Sequence, residues 1–348
     1  MKPQRPVTAT QVAAAAGVSL ATLDRVLNKR AGVKPATAET VLDAVVRLGY
    51  RRDRLAASLA RSRHYHFGFL LPDLPRNAFM QILRREIEDA AGRLRDDRIS
   101  IDVVRYTAFD PVAAADQLAK LKQRGVMGVA VVAVDAPEVR LAIEELTKAG
   151  IAVVTLISDV TPSARACCIG IDNIAAGRVA GSLMGRFLGQ RTGSVLPIAG
   201  RMTLRDHAER QLGFAQVMAR EHPAQRVLAT VEGLDDGQVA GPLVTAALEA
   251  HPDLIGIYSM GAGNRGVVGA LERAGRDRDL VVIGHELTPA MRAALLAGVF
   301  DAAICQNPRD ATARAVETLT TLVDGEAVVA VERLRIDITL KDNLPPVG

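Results

Sequence analysis

The chain has 348 residues, of which 49% are apolar and 24% charged, a globular composition that excludes a chain disordered throughout. Its longest uncharged apolar run, Gly125 to Val134, is ten residues, where a bilayer-spanning helix needs ~20. No compact apolar stretch near the start reads as an export signal. The three cysteines, Cys167, Cys168 and Cys305, form no CxxC pair, so neither a disulfide framework nor a zinc site is expected and the reducing cytoplasm is the expected compartment.

The net charge of +4 hides an asymmetry. Residues 1–66 hold twelve Lys/Arg against four Asp/Glu, and the remainder holds 31 against 35. A strongly basic head on a mildly acidic body is the electrostatic footprint of a polyanion-binding module joined to something else.

In the head, Val12, Ala13 and Ala16 share one helical stripe, Gly17-Val18 breaks it, and Ser19 can cap a second helix over Leu20 to Leu27. A third stripe runs from Pro35 to Leu48, with Val41, Leu42, Val45 and Leu48 as its apolar positions, and stops at Gly49. Two short helices about a tight turn form a helix-turn-helix, whose second helix lies in the major groove. The residues at its start are Leu20, Ala21, Thr22 and Arg25. Arg25 can donate to guanine O6/N7, while Leu20 and Ala21 offer apolar contact to a thymine methyl. Ser19, Thr22, Asn28, Lys29 and Arg30 are expected to hold phosphates. Asp53 to Ala60 is a short helix-capable stretch, too short to stand alone in water, and Leu59 is its candidate minor-groove wedge.

The runs VTATQVAAAAGVSLATLDRVLN, GVKPATAETVLDAVVRLGY and RLAASLA resemble the DNA-binding and hinge region of the lactose-repressor (LacI/GalR) family of bacterial transcription regulators, over residues 7–61 without a gap. The resemblance implies that Leu20, Ala21 and Arg25 read a pseudo-palindromic operator, that Thr8 belongs to the DNA-facing set, and that Leu59 is the minor-groove lever. Asp24 stands where a small polar residue is more usual, and Arg52-Asp53 replaces the common Pro-Asn before the hinge.

From Phe67 onward, strand candidates at 67–71, 99–106, 126–133, 151–157, 167–171, 194–199, 226–232, 254–260, 280–284 and 301–305 alternate with amphipathic helical stretches, the last at 309–324. Near-continuous apolar strands between helices predict parallel sheets covered on both faces, and their number predicts two doubly wound lobes. Ligands in such folds sit outside the carboxyl ends of the strands. Those ends carry Asn77 and Phe79, Ser158 and Asp159, Asp172 and Asn173, Arg205, Asp206 and His207, Asn264, His285 and Glu286, and Gln306. Any one of them is an ordinary loop cap; as a set with one aromatic, they suit a polyhydroxylated ligand, because each hydroxyl both donates and accepts.

The stretches AGIAVVTLISD, IGIDNIAAGRVAG, VVIGHELTPAMRAAL and AAICQNPRDATARAVETL are similar to the periplasmic-binding-protein type 1 effector domain of the same family, over roughly residues 63–342. That similarity implies sugar contacts at Asn77, Phe79, Asp159, a residue among Arg205 to Ala208 (Arg205 or His207), Asn264, Glu286 and Gln306. It also implies a helix-turn-helix head over 1–52, a hinge over 53–66 and an effector domain over 67–348. The N-lobe is expected at about 67–160 plus 290–325, and the C-lobe at about 163–288 plus 326–342. Glu286 stands where an aspartate is usual.

Gly261-Ala-Gly263-Asn-Arg-Gly266 is a literal GxGxxG between a strand and a helix, with Glu286 twenty residues beyond, as a dinucleotide site requires. The head and the two-lobed body argue instead for a regulator without enzymatic activity or cofactor. No GxSxG or HExxH occurs, and His64 and His66 belong to the linker. A transport binding protein is the rival reading, and the basic head and the missing leader oppose it. A homodimer is expected, since the last residues carry no heptad tail.

Overall fold

The computed structural model describes residues 8–27, 32–48, 63–328 and 333–346. The chain divides into two compact units, Met1–His64 and Tyr65–Gly348. Asn28, Lys29, Arg30, Leu59 and the expected hinge helix lie outside the described residues.

In the first unit, α1 (Ala9–Ala15) starts at Thr8, whose hydroxyl accepts from Gln11 N while the Gln11 side chain accepts from Thr8 N, a capping box that satisfies two donors at once. Gly17 takes φ +64° in the turn, a conformation open to glycine without a Cβ penalty. The Ser19 hydroxyl accepts from Thr22 N at 3.1 Å and so caps α2 (Leu20–Leu27). With α3 (Pro35–Leu48) these helices bury Val12, Ala13, Leu23, Val26, Val41 and Ala44. Leu42, expected on the core stripe, is 51% exposed. The inward stripe is 41, 44, 45 and 48, and position 42 is turned about 100° away from it.

The second unit is a pair of doubly wound lobes. One sheet has the order β2-β1-β3-β4-β5, with β1 Tyr65–Asp73, β2 Ile99–Thr107, β3 Gly128–Val131, β4 Ala152–Leu156 and β5 Cys167–Ile169. All its pairs are parallel. Its crossovers are α4 (Ala78–Arg93), α5 (Pro111–Gln123) and α6 (Pro137–Lys148). The other sheet runs β12-β11-β10-β9-β6-β7. Its strands are β6 Gly193–Ala199, β7 Gln225–Val227, β8 Val231–Glu232, β9 Leu254–Ser259, β10 Val281–His285, β11 Ala302–Cys305 and β12 Asp337–Thr339. Its helices are α7 (Asn173–Leu188), α8 (Arg205–Glu221), α9 (Gly237–Ala250), α10 (Asn264–Ala274) and α11 (Pro289–Ala297).

Three expectations about the body are corrected. The return to the first lobe comes after β11 rather than near 290: α11 packs through Met291, Ala294 and Leu295 into the second lobe's core, and only α12 (Pro308–Val323) joins the first, through Ala311, Ala315 and Leu319. β5, expected in the C-lobe, pairs with β4 at Val154–Cys167 and so belongs to the first sheet. The single strand at 226–232 is two, because β6 pairs Val195 with Val227 but Ile198 with Val231. The edge strand therefore carries one extra residue, as a bulge does. The sequence reading also stops short of β12, which closes the sheet antiparallel to β11 at Ile304–Ile338.

The last glycine of the GxGxxG serves helix contact, while a Cβ on the first, Gly261, would run into the Asp235 carboxylate and the His207 ring. A Cβ on Gly266 would lie 2.0 Å from the carbonyl oxygen of Gly237, so α9 and α10 approach there at backbone distance. Gly263 takes φ +96° as the N-cap of α10.

Candidate functional site

The carboxyl ends of both sheets face one cavity of about 790 Å³. From the second sheet, Asp206, His207 and Arg210 come from the first turns of α8, Asp235 follows β8, Asn264 opens α10, His285 ends β10 and Glu286 follows it, and Gln306 follows β11. All are buried. From the first sheet come Asn77, Phe79, Tyr106, Phe109, Val132, Ile157 and Ser158.

The polar wall is internally braced. Arg210, only 3% exposed, donates from Nε to Asn173 Oδ1 at 2.9 Å and from its terminal nitrogen to the Met260 carbonyl at 2.7 Å. Gln306 donates from Nε2 and from its backbone N–H to the two oxygens of Glu286, at 2.8 and 3.2 Å. Burial pushes the Glu286 carboxyl up to about 7, against the opposing pull of Arg210 and the Gln306 bonds. Burial would also raise Asp206, but His207, Arg210 and Ser158 together hold it below its ordinary value. His207 Nδ1 lies 3.2 and 3.3 Å from the N–H groups of Gly200 and Arg201 and 3.3 Å from the Arg201 carbonyl oxygen, and Nε2 lies 3.9 Å from Asp206 Oδ2. His285, buried against the Tyr258 hydroxyl at 2.9 Å, is held neutral by desolvation and by Arg210. Asp206 Oδ1, His285 Nδ1 and Gln306 Oε1 are buried and have no protein partner. Such atoms are costly to leave unmade, so a polar ligand is the natural complement of this wall.

The lobes also touch across the cleft. Asn77 Nδ2 donates to Asp235 Oδ2 at 3.3 Å, Arg76 pairs with Asp236 at 2.6 Å, and Arg205 reaches Asp135 at 3.5 Å.

Of the expected cleft residues, the structure brings together Asn77, Phe79, His207, Asn264, Glu286 and Gln306. Asp159 and Arg205 do not line the cavity. The Asp159 carboxylate is held by the Thr155 hydroxyl at 2.6 Å, by Val160 N at 2.8 Å and by the guanidinium of Arg165. Arg205 is drawn to Glu209 at 2.8 Å and to Asp135. Arg210 and Asp235 were missed. Arg210 lies one helical turn beyond Asp206, on the same face, and Asp235 follows the bulged edge strand that the sequence placed as one piece.

On the first unit, α2 turns Leu23 and Val26 inward and leaves Leu20, Ala21 and Arg25 exposed, with Leu20 52% accessible. Ser19 and Thr8 are exposed at the starts of α2 and α1. Of the residues expected to meet DNA, Thr8, Ser19, Leu20, Ala21 and Arg25 are thus exposed on the helix-turn-helix.

A basic helix-turn-helix followed by a two-lobed α/β body with a polar cleft defines a ligand-responsive DNA-binding protein. Residues 67–327 match the family model for the periplasmic binding protein domain, and residues 8–53 match that for bacterial regulatory proteins of the lacI family. The ribose operon repressor of Halalkalibacterium halodurans is 28% identical over 286 residues, 81% of each chain. Catabolite control protein A of Priestia megaterium is 44% identical over 85 residues, 24% of this chain and 25% of that one. Among solved structures, GanP, a glucose-galactose binding protein from Geobacillus stearothermophilus, shares the fold at TM-score 0.74 with 24% identity, covering 82% of this chain and 100% of that one. The chain belongs, through its body, to the periplasmic binding protein domain family, carries a head that matches the lacI family of bacterial regulatory proteins, and is a DNA-binding transcription regulator. Among the described residues, no helix is long and apolar enough to cross a membrane.

Proposed function

We propose that the chain represses genes of carbohydrate uptake or catabolism, and that a hydroxyl-rich small molecule in the cleft controls its hold on the operator. The observation that carries this reading is the second sheet's wall, where Asp206 Oδ1 and Gln306 Oε1 are buried acceptors without a protein partner. Ligand hydroxyls would donate to both. The printed names of the relatives, a ribose operon repressor and a glucose-galactose binding protein, point to the same chemistry. Asn77, Phe79, His207, Asn264, Glu286 and Gln306, joined by Asp206, Arg210 and Asp235, form the effector site. Leu20, Ala21 and Arg25 read bases, and Thr8, Ser19 and Thr22 hold phosphates. The regulator acts as a cytoplasmic homodimer on a pseudo-palindromic operator, without catalysis or cofactor. A ligand that contacts both walls binds the closed arrangement more tightly than the open one, and it shifts the DNA-binding equilibrium by that difference.

The test pairs two readouts on the full chain: thermal shift with sugars and polyols, and fluorescence anisotropy on a labelled operator selected in vitro. A compound that raises the melting temperature should also change operator affinity. Binding of sugars with no effect on operator affinity would exclude the control; absence of operator binding at low salt would exclude the regulator.

A further inference from the structure

Resting on the reading of the cleft as the effector site, we infer that its ligand is amphipathic: a hydroxyl-bearing head against the second sheet, and an aryl or alkyl flank against the first.

The two walls differ in kind. The carboxyl ends of the first sheet bring Phe79, Tyr106, Phe109, Val132 and Ile157 to the cavity. The Tyr106 hydroxyl donates to the Val132 carbonyl at 3.0 Å, so the residue presents its ring. The first lobe's polar groups in the lining are engaged or, at Arg85, exposed to solvent: Gln81 donates to the Leu74 carbonyl at 3.0 Å and Arg76 pairs with Asp236. Asn77 accepts from Met80 N at 3.0 Å and donates to Asp235, and Ser158 accepts from Asp206 N at 3.5 Å. The unpartnered buried atoms of the lining, Asp206 Oδ1, His285 Nδ1 and Gln306 Oε1, all stand on the opposite wall.

Backbone strain marks the same two walls. Six described residues other than glycine have positive φ, and four of them, Phe109, Ile157, Asp235 and Glu286, line the cavity. Ile157 at φ +65° is the sharpest case, because a β-branched side chain is poorly tolerated in the left-handed region. Strain of this sort persists where surrounding structure over-determines it, commonly at ligand sites. Asparagine or glycine would fit Ile157's backbone better, and neither would give the cleft its hydrocarbon surface. A bare sugar ring with hydroxyls along every edge would lose water from those facing Ile157 and Val132 and gain no partner there. An aglycone would fill that side with apolar contact, and the 790 Å³ cavity has room for one beyond the sugar ring.

The experiment titrates the full-length chain by calorimetry with D-glucose, D-galactose, their phenyl β-glycosides, and adenosine. At least one phenyl glycoside should bind tenfold or more tightly than its parent sugar. Ile157→Asn suits the positive φ but puts an amide into the first lobe's core, so its melting temperature should fall. Where the fold is intact it should bring that ratio towards one, and Phe109→Asn, at a half-buried lining position of positive φ, should do the same. A parent sugar that binds as tightly as its phenyl glycoside overturns the amphipathic ligand and leaves the effector reading standing. Adenosine binding without phenyl glycoside binding overturns it in favour of a base with hydrogen-bonding edges. An unchanged ratio in these variants, with the fold intact, removes the apolar wall from recognition. No binding by any probe overturns the carbohydrate-effector reading together with this inference.

Discussion

The Asn77 amide does two jobs from one side chain: Oδ1 caps α4 by accepting from Met80 N at 3.0 Å, and Nδ2 donates across the cleft to Asp235 Oδ2 at 3.3 Å. Replacing Asn77 by aspartate separates the two. Aspartate caps a helix about as well as asparagine, but its second oxygen would face the Asp235 carboxylate, and like charges at that distance repel. N77D should therefore keep the fold while opening the cleft. Small-angle scattering of the free protein should show a larger radius of gyration than the wild type, with thermal stability little changed. An unchanged radius would remove this bond from the closing of the lobes.

Glu286 gives the body a pH dependence with a definite sign. Its folded value of about 7 stands above the ordinary 4.5 because burial disfavours the charged form. The stability it contributes is thus full below the unfolded value near 4.5 and is lost as pH rises through about 7. At ~1.4 kcal/mol per unit, the loss is on the order of 3 kcal/mol. Glu286→Gln should flatten the fall in urea-unfolding free energy between these pH values. The acidic limb, where Asp206 and Asp159 are held low, should persist. A wild type whose stability rises over the neutral range would contradict the assignment.

Much of the body could be read from pattern, and its misses have physical causes. Asn264, Glu286 and Gln306 follow from the strand-end rule, which needs only the strand positions. Asp159 obeys the same rule but is captured by Arg165, a pairing six residues away that no strand pattern reveals. Arg210 sits inside a helix, and its burial depends on the Met260 carbonyl and Asn173 from other elements. Val132 and Ile157 border the cavity while packing in the first lobe's core, so nothing in the strand pattern separates them from ordinary core residues. β12 had a signal, the alternation of Leu334, Ile336, Ile338 and Leu340 with charged or polar neighbours.

Gly266 distinguishes helix packing from phosphate binding. A Cβ there would sit 2.0 Å from the Gly237 carbonyl, and one on Gly237 would meet Gly266 N at 2.9 Å. Gly266→Ala must therefore push α9 and α10 apart, and overpacking of this kind typically costs about 1–3 kcal/mol. The melting temperature should fall by several degrees, while NADH fluorescence should be unaffected by either protein. A saturable NADH signal in the wild type that the substitution removes would restore the dinucleotide reading.

Arg25 and the phosphate-holding residues should separate by what they change. Arg25 is exposed on α2, one turn beyond the Leu20–Ala21 start, where a guanidinium can reach a guanine edge. Arg25→Ala should cost about 1–3 kcal/mol on the selected operator and relax preference at one base pair in each half-site. Ser19→Ala and Thr22→Ala should instead weaken binding uniformly across sequences, because phosphate contacts carry no base information. For the wild type, log affinity should fall linearly with log salt, with a slope of about −0.9 for each phosphate neutralised. Anisotropy titrations on the operator and on single-base variants at several salt concentrations measure both effects. Equal losses on every variant with Arg25→Ala would move that residue from base reading to phosphate holding.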